Sequence, residues 1–274
     1  MKYLIISIFL SLSFSIQIMH FSGDVSHFSK MNSGTYLSKN HRILDDNIAS
    51  LSFIHLPSNI LYSEFFGEFS VNNLLIAPRL GIIDYGTLSS ISGNDFRPYE
   101  SLIEVTAHKY IQNTRYSGSI GYIISTISNY KSSLLLYNFG LSQSMLNNRL
   151  DINLSFENNT TILNQYSNVM NQYSPHQRLN IEYILKYLPL NIFIDLLHNE
   201  DIIATTFGTQ VFINDIVNVY GAKKFYFSDS EYNIFDNVST GLSISNDRFQ
   251  LNFGVQLLSA FNISYGTSLL MKFK

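Results

Sequence analysis

From about residue 48 onward, apolar and polar residues alternate one for one in segments mostly of nine residues or more, and no other feature constrains the fold as strongly. Leu150, Ile152, Leu154 and Phe156 interleave with Asp151, Asn153, Ser155 and Glu157. Successive side chains of a strand point to opposite faces, so this segment has one wholly apolar and one wholly polar face. Leu179, Ile181, Tyr183, Leu185 and Tyr187 repeat the pattern against Asn180, Glu182 and Lys186, and Phe249, Leu251, Phe253 and Val255 repeat it against Gln250 and Asn252. Some segments are mixed, such as 132–141, where small residues interrupt one face, and fourteen strand candidates are counted in all: about 48–55, 60–70, 74–85, 100–111, 115–127, 132–144, 149–157, 177–187, 190–198, 203–213, 216–224, 237–245, 248–258 and 262–273. Strands of soluble proteins average about 5–6 residues, whereas strands tilted across a bilayer need about 9–11. The expected fold is therefore all-β: a transmembrane antiparallel β-barrel of about 14 strands.

Composition agrees. Charged residues make up 14% of the chain, against roughly 25% in a typical soluble domain. Ser, Asn and Thr take their place, which fits a surface that does not all face water. The formal net charge of −3 argues against a nucleic-acid partner, which needs a basic face. With no cysteine, disulfides, Cys-ligated zinc, iron–sulfur clusters and a lipidated N-terminal cysteine are excluded. Lys2, the apolar run Tyr3 to Leu12 and the small residues flanking Phe14 read as a secretory signal peptide over 1–15. Past it, no apolar run reaches the ~18–20 residues of a spanning helix. A membrane location then requires a closed barrel, because only helices and barrels satisfy every backbone group in lipid. The expected organisation is a signal peptide (1–15), an N-terminal segment as candidate lumen plug (16–47) and the barrel (48–274).

The connections supply a second test. With the chain ends placed in the periplasm, the inner turns are Asn72-Asn73, Gln112–Thr114, Asn147-Asn148, Leu188-Pro189, Asn214-Asp215 and Asn246-Asp247. All are short, and most are Asn/Asp pairs suited to tight hairpins. The long connections, near 86–99, 158–176 and 225–236, all fall outside. Tyr265, Leu269, Met271 and Phe273 share one face of a final aromatic-ended strand. Tyr85, Tyr110, Tyr116, Tyr130, Tyr187 and Tyr265, near strand ends, are candidates for interfacial girdles.

No catalytic constellation emerges. The seven histidines form no His-Glu-x-x-His pair, and neither a Gly-x-Ser-x-Gly elbow nor a phosphate-binding Gly-x-x-x-x-Gly-Lys is present. Asp229, Glu231 and Asn233 alternate in an outer loop; a solvated turn is favoured there over a calcium site. Glu64 and Glu68 share a strand face with Tyr62 and Phe66, which points to polar contacts in the lumen and not to acid–base work. Neither a metal nor a cofactor is expected.

Several short motifs, in order and spacing, resemble a known family. Ala49-Ser-Leu-Ser-Phe-Ile-His-Leu-Pro-Ser-Asn-Ile60 resembles an opening strand and turn, and Ile83-Asp-Tyr-Gly86 a Tyr-Gly strand end. Ile127-Ser-Asn-Tyr130, Leu188-Pro189, and Gly241-Leu-Ser-Ile-Ser before Phe249-Gln-Leu-Asn-Phe253 follow in place. Together they resemble the PorV/PorQ family of outer-membrane proteins, related to the FadL fatty-acid channel fold, and the compact loops favour a PorQ-like member. The chain departs from the family near its start, where Ser22-Gly23 and Asn40-His41-Arg42 stand in place of Gly-Gly and Asn-Pro-Ala.

The resemblance implies a non-catalytic, structural subunit of type IX protein secretion in the outer membrane, docking surface secretion and attachment components. Its partners would be outer-membrane lipid and other proteins of that machinery. The outer-loop residues expected to dock them are Asp95, Phe96, Arg97, Tyr226, Asp229 and Glu231. Two other readings stand beside it: a FadL-like channel for hydrophobic small molecules, favoured by an apolar lumen with a lateral opening, and a secreted β-sandwich adhesin. A lumen filled by polar side chains favours the anchor.

Overall fold

The computed structural model describes Lys30 and residues 47–89, 95–165, 175–199, 203–227, 236–259 and 262–273. Sixteen strands run in chain order: β1 (Asn47–Leu56), β2 (Ile60–Val71), β3 (Leu74–Asp84), β4 (Leu88–Ser89), β5 (Asp95–Phe96), β6 (Tyr99–Ile111), β7 (Thr114–Ile127), β8 (Tyr130–Met145), β9 (Leu150–Asn164), β10 (His176–Ile184), β11 (Leu190–His198), β12 (Ile203–Phe212), β13 (Val217–Tyr226), β14 (Val238–Ser245), β15 (Phe249–Ser259) and β16 (Asn262–Phe273). Fourteen of them form one closed antiparallel barrel, sealed by β1 pairing with β16. The short pair β4–β5, not anticipated from sequence, sits in the connection between β3 and β6.

The faces are inverted relative to a soluble protein. Leu154 and Phe156 on β9, and Tyr265, Leu269, Met271 and Phe273 on β16, are exposed on the outside. Their alternating neighbours Asp151, Asn153, Ser155 and Glu157, and Ser264 and Ser268, are buried inside. An apolar outer band with a polar interior is what a barrel standing in lipid requires.

Two chemistries make the inner turns. Asn72-Asn73 and Asn147-Asn148 adopt positive φ at both residues, between 47° and 66°, the backbone that a tight hairpin asks for and asparagine tolerates. Asn214 and Asn246 instead use their side chains. Asn214 Oδ1 accepts the Ile216 and Val217 amides at 2.9 and 2.7 Å, and Asn246 Oδ1 accepts those of Arg248 and Phe249 at the same distances.

Three sequence expectations need correction. β9 does not stop at 157 but continues to Asn164. The alternation breaks there because Asn158, at φ 58°, is a bulge that puts two consecutive residues, Glu157 and Asn158, on the inner face. The bulge is pinned by the Asn158 amide donating to Asn138 Oδ1 at 2.7 Å. β10 ends at Ile184, short of 187. The Leu185 amide turns to Leu190 O at 2.9 Å, and Pro189, which has no N–H, interrupts the ladder. Among the tyrosines, Tyr116, Tyr130, Tyr187 and Tyr265 are exposed outward or at the rims, but Tyr85 is buried in an interior cluster. Tyr110 also points inward, towards Arg115.

The topology makes a direct prediction. The chain has no cysteine, so single cysteines report without background. Ser58→Cys and Ser128→Cys, in outer turns, should react on intact cells with an impermeant thiol reagent. Asn147→Cys and Asn246→Cys should not react until the envelope is opened. Equal reaction of all four would refute the orientation.

Candidate functional site in the barrel interior

Inward-pointing charged residues are paired into networks by the strand register. On one wall Arg79 of β3 lies between Glu64 of β2 and Glu104 of β6, its direct cross-strand partners being Phe66 and Glu104. Its Nε donates to Glu64 Oε2 at 2.7 Å, Nη1 to Glu104 Oε2 at 3.4 Å and Nη2 to Tyr62 Oη at 3.0 Å. Tyr62 in turn donates to Glu64. Glu104 Oε1 also accepts Ser119 Oγ at 2.6 Å and Asn138 Nδ2 at 2.8 Å. Asn138 is the amide that holds the β9 bulge, so one network spans β2, β3 and β6–β9.

Above it, towards the outer end, an apolar cluster of Ile54, Tyr62, Ile83, Tyr85, Leu102, Ile123, Leu134 and Leu136 fills the same side of the barrel. Gly86, at φ 73°, ends β3 there and donates its amide to Asp84 Oδ1 at 3.0 Å.

On the adjoining wall Arg178 of β10 sits 3.7 Å from Glu157 of β9 and 3.7 Å from Asp195 of β11. Asn153 Nδ2 donates to Asn180 Oδ1 at 3.1 Å. Lys30, from the stretch before β1, lies inside the barrel against this wall. Its Nζ is 3.8 Å from Glu182 Oε1 and sits 5.2 Å and 5.8 Å from the ring centroids of Phe193 and Tyr220. The rest of the candidate plug, 16–47, lies outside the described residues apart from Asn47.

Phe193 owes its position to a glycine. A Cβ on Gly208 would stand 2.1 Å from Phe193 Cζ and 2.7 Å from Gly221 O. Gly208→Ala should therefore cost about 1–3 kcal/mol of barrel stability through overpacking. Gly118→Ala, where no atom lies within 4 Å, should stay within about 0.5 kcal/mol of wild type. Thermal unfolding in detergent micelles, followed by the loss of β-sheet circular dichroism, compares the two; equal midpoints would refute the Phe193–Gly208 contact.

Sequence reasoning found the inward faces of Glu64 and Glu68 but missed Arg79, Glu104, Arg178 and Lys30. The signal was present for the three on barrel strands: Arg79, Glu104 and Arg178 each occupy the inward phase of their strand. Chemically these groups hold one another, and among the described residues no metal-binding group of His, Asp and Glu forms. His108 Nδ1 and Ser117 Oγ are 2.8 Å apart as cross-strand partners.

The expected docking residues divide. Asp95 and Phe96 form β5, and Ser89 Oγ donates to Asp95 Oδ1 at 2.7 Å. Arg97 pairs with Asp84, Nε to Oδ1 at 2.9 Å, which ties this outer connection to the end of β3. Tyr226 ends β13, opposite Ala204, and five barrel strands separate β3 from β13 by the shorter route. Asp229 and Glu231 lie outside the described residues. The structure thus groups Asp95–Arg97 and does not bring Tyr226 to them.

No family model matches the chain, and no curated protein matches it in sequence. Solved structures do match in shape. The toluene transporter TodX of Pseudomonas putida aligns over 93% of this chain and 94% of its own, with TM-score 0.58 and 8% identity. The toluene transporter TbuX of Ralstonia pickettii aligns over 83% and 88%, with TM-score 0.52 and 8% identity. CdiB from Acinetobacter baumannii aligns over 83% of this chain at TM-score 0.48 and 9% identity, and this chain spans 60% of its length. At such identities the likeness to TodX and TbuX concerns the fold alone, a closed antiparallel β-barrel like theirs.

Proposed function

We propose that the protein is an outer-membrane barrel that works as a non-conducting scaffold, docking surface components of type IX secretion as its PorV/PorQ-like motifs imply. In this reading the N-terminal signal is removed on export. The observation that carries the scaffold role is the state of the interior. Barrels of about 16–18 strands leave an aqueous channel, while about 8 strands are filled by side chains. In this 14-stranded barrel the inward residues Asn153, Asn180, Thr206, Ser243, Asn252 and Ser264 are all buried from water. Ion pairs bridge the wall at Arg79 and Arg178, and Lys30 reaches in beside Glu182. Each barrel strand is also paired with both neighbours, without a lateral gap between strands among the described residues. Docking falls to the outer connections, with Asp95, Phe96 and Arg97 as one contact and Tyr226 as a second on another sector; Asp229 and Glu231, the other expected docking residues, lie outside the described residues.

A second reading has its own support. Likeness to TodX over 93% of the chain favours a FadL-like channel for hydrophobic small molecules, and among solved structures the comparisons speak for this reading and not for secretion. The apolar cluster at the outer end of the interior would then receive the ligand. Reconstitution separates the two. A scaffold should give no stepwise conductance in planar bilayers and no accelerated uptake of a small aromatic hydrocarbon into liposomes. It should also co-purify with surface secretion proteins from native envelopes. Uptake above that of protein-free liposomes, without such co-purification, would replace the scaffold with the channel.

A further inference from the structure

The outer face of β13–β16 carries a concavity of about 430 Å³. Behind it runs a row of glycines in register: Gly241 pairs with Gly254, and Gly254 with Gly266. These positions belong to the inward phase, so along this line no side chain props the sheet from the lumen side. Glycine in a strand marks a place where the backbone bends or something approaches closely. Two outward rows flank the line as walls, Thr240, Val255 and Tyr265 on the outer side and Leu242, Phe253 and Thr267 on the inner. At the β1 end His55 stacks on Tyr265, with ring centroids 4.9 Å apart and 19° between planes, and closes the groove. At the β13 end Gly221, opposite Thr240, has no atom within 4 Å of where its Cβ would be, so the groove runs on.

We propose that this groove is a binding site for one acyl chain of a membrane lipid, held longer than the exchanging lipid around the rest of the barrel. The proposal rests on the reading that the outer face meets lipid. The occupant follows from the shape and chemistry of the site. It is a trough bounded by two parallel walls, none of its lining side chains is charged, and its few hydroxyls are those of Thr240, Tyr265 and Thr267. It lies within the band of exposed Leu, Phe, Ile and Val side chains that rings the barrel. A linear hydrocarbon matches it; a polar or anionic ligand would find no charged partner.

The native chain contains no tryptophan, so a single introduced tryptophan is a clean reporter. Full-length Val219→Trp, at the groove edge, and Ile120→Trp, outward on β7, would be reconstituted in phosphatidylcholine. Phosphatidylcholine with brominated chains would then be titrated in as the quencher, so that host and probe share a headgroup. At low fractions of brominated lipid, the Val219→Trp signal should be quenched several-fold more than that of Ile120→Trp. Adding Thr267→Phe, which fills the trough, should bring the two curves together. Coincident curves without the Thr267→Phe change would overturn the site, as would quenching that persists despite it. Weaker quenching at the groove than at Ile120→Trp would also overturn it, by showing a protein partner covering that face. If neither tryptophan is quenched, the membrane reading itself fails, which the control position reports independently.

Discussion

Arg79→Met should be the most damaging single change in the barrel interior, lowering stability by about 3–5 kcal/mol, the usual cost of removing one member of a buried ion pair. The reason is what stays behind. Glu64 and Glu104 have side chains with no exposure to water, and the Arg79 side chain is 4% exposed. Without the guanidinium, two carboxylates face each other in the barrel with no cation between them. Tyr62 loses the donor at 3.0 Å as well. The triple change Arg79→Met, Glu64→Gln, Glu104→Gln keeps the volumes and removes all three charges. It should recover much of the loss, because replacing a whole buried ionic group is often near neutral where breaking it is not. Unfolding by urea in detergent or lipid, read as loss of the compact gel form, gives the comparison. A single variant as stable as wild type would mean that these ions are solvated or unpaired in the folded barrel.

That network also shows where sequence reasoning stopped. The strands were legible because each carries its own signal: Leu150 to Glu157 declares both faces without reference to any other segment. The turns were legible for the same local reason, since Asn72-Asn73 and Asn147-Asn148 carry the residues that positive φ favours. Partnership is not local. Arg79, Glu64 and Glu104 stand on three strands, and which of them meet depends on register. A slip of two residues would leave every side chain on its proper face and pair Arg79 differently. The end of β9 was misplaced for a related reason. A bulge at Asn158 shifts the phase of alternation, and in sequence a phase shift looks like a strand end. Lys30 was beyond reach because its contacts, Glu182, Phe193 and Tyr220, lie more than 150 residues along the chain. Of the docking residues, the shared placement of Asp95, Phe96 and Arg97 was legible from adjacency. The tie from Arg97 to Asp84 was not.

Ile152→Arg is the sharpest test of which solvent the outer face meets. Ile152 faces outward on β9, flanked by Ile181 on β10 and Gln143 on β8. An arginine on the lipid face costs about 2–4 kcal/mol at mid-membrane and less towards the interfaces. Ile152 lies two residues into β9 from the inner turn, so a cost below that range is expected, seen as a lower urea midpoint in liposomes and less barrel recovered from the envelope. Its neighbour Asn153 is inward, 4% exposed, and donates to Asn180 Oδ1 at 3.1 Å. Sequence alone made Asn153→Arg the milder change unless the lumen is filled. The structure buries Asn153, so this substitution should also be costly, for a different reason: a crowded site and a lost hydrogen bond. Asn153→Ser separates the causes, since it should be tolerated inside while Ile152→Ser stays tolerable only at an interface with water. A soluble sandwich would also suffer from Ile152→Arg, so the solvent must be varied too. The wild-type barrel should fold with lipid or detergent and aggregate in plain buffer, because Leu154, Phe156, Leu196 and Phe207 are exposed along the same outer band. A chain that folded as well in buffer would not have lipid as the partner of that band, and Ile152→Arg would then report on a protein core.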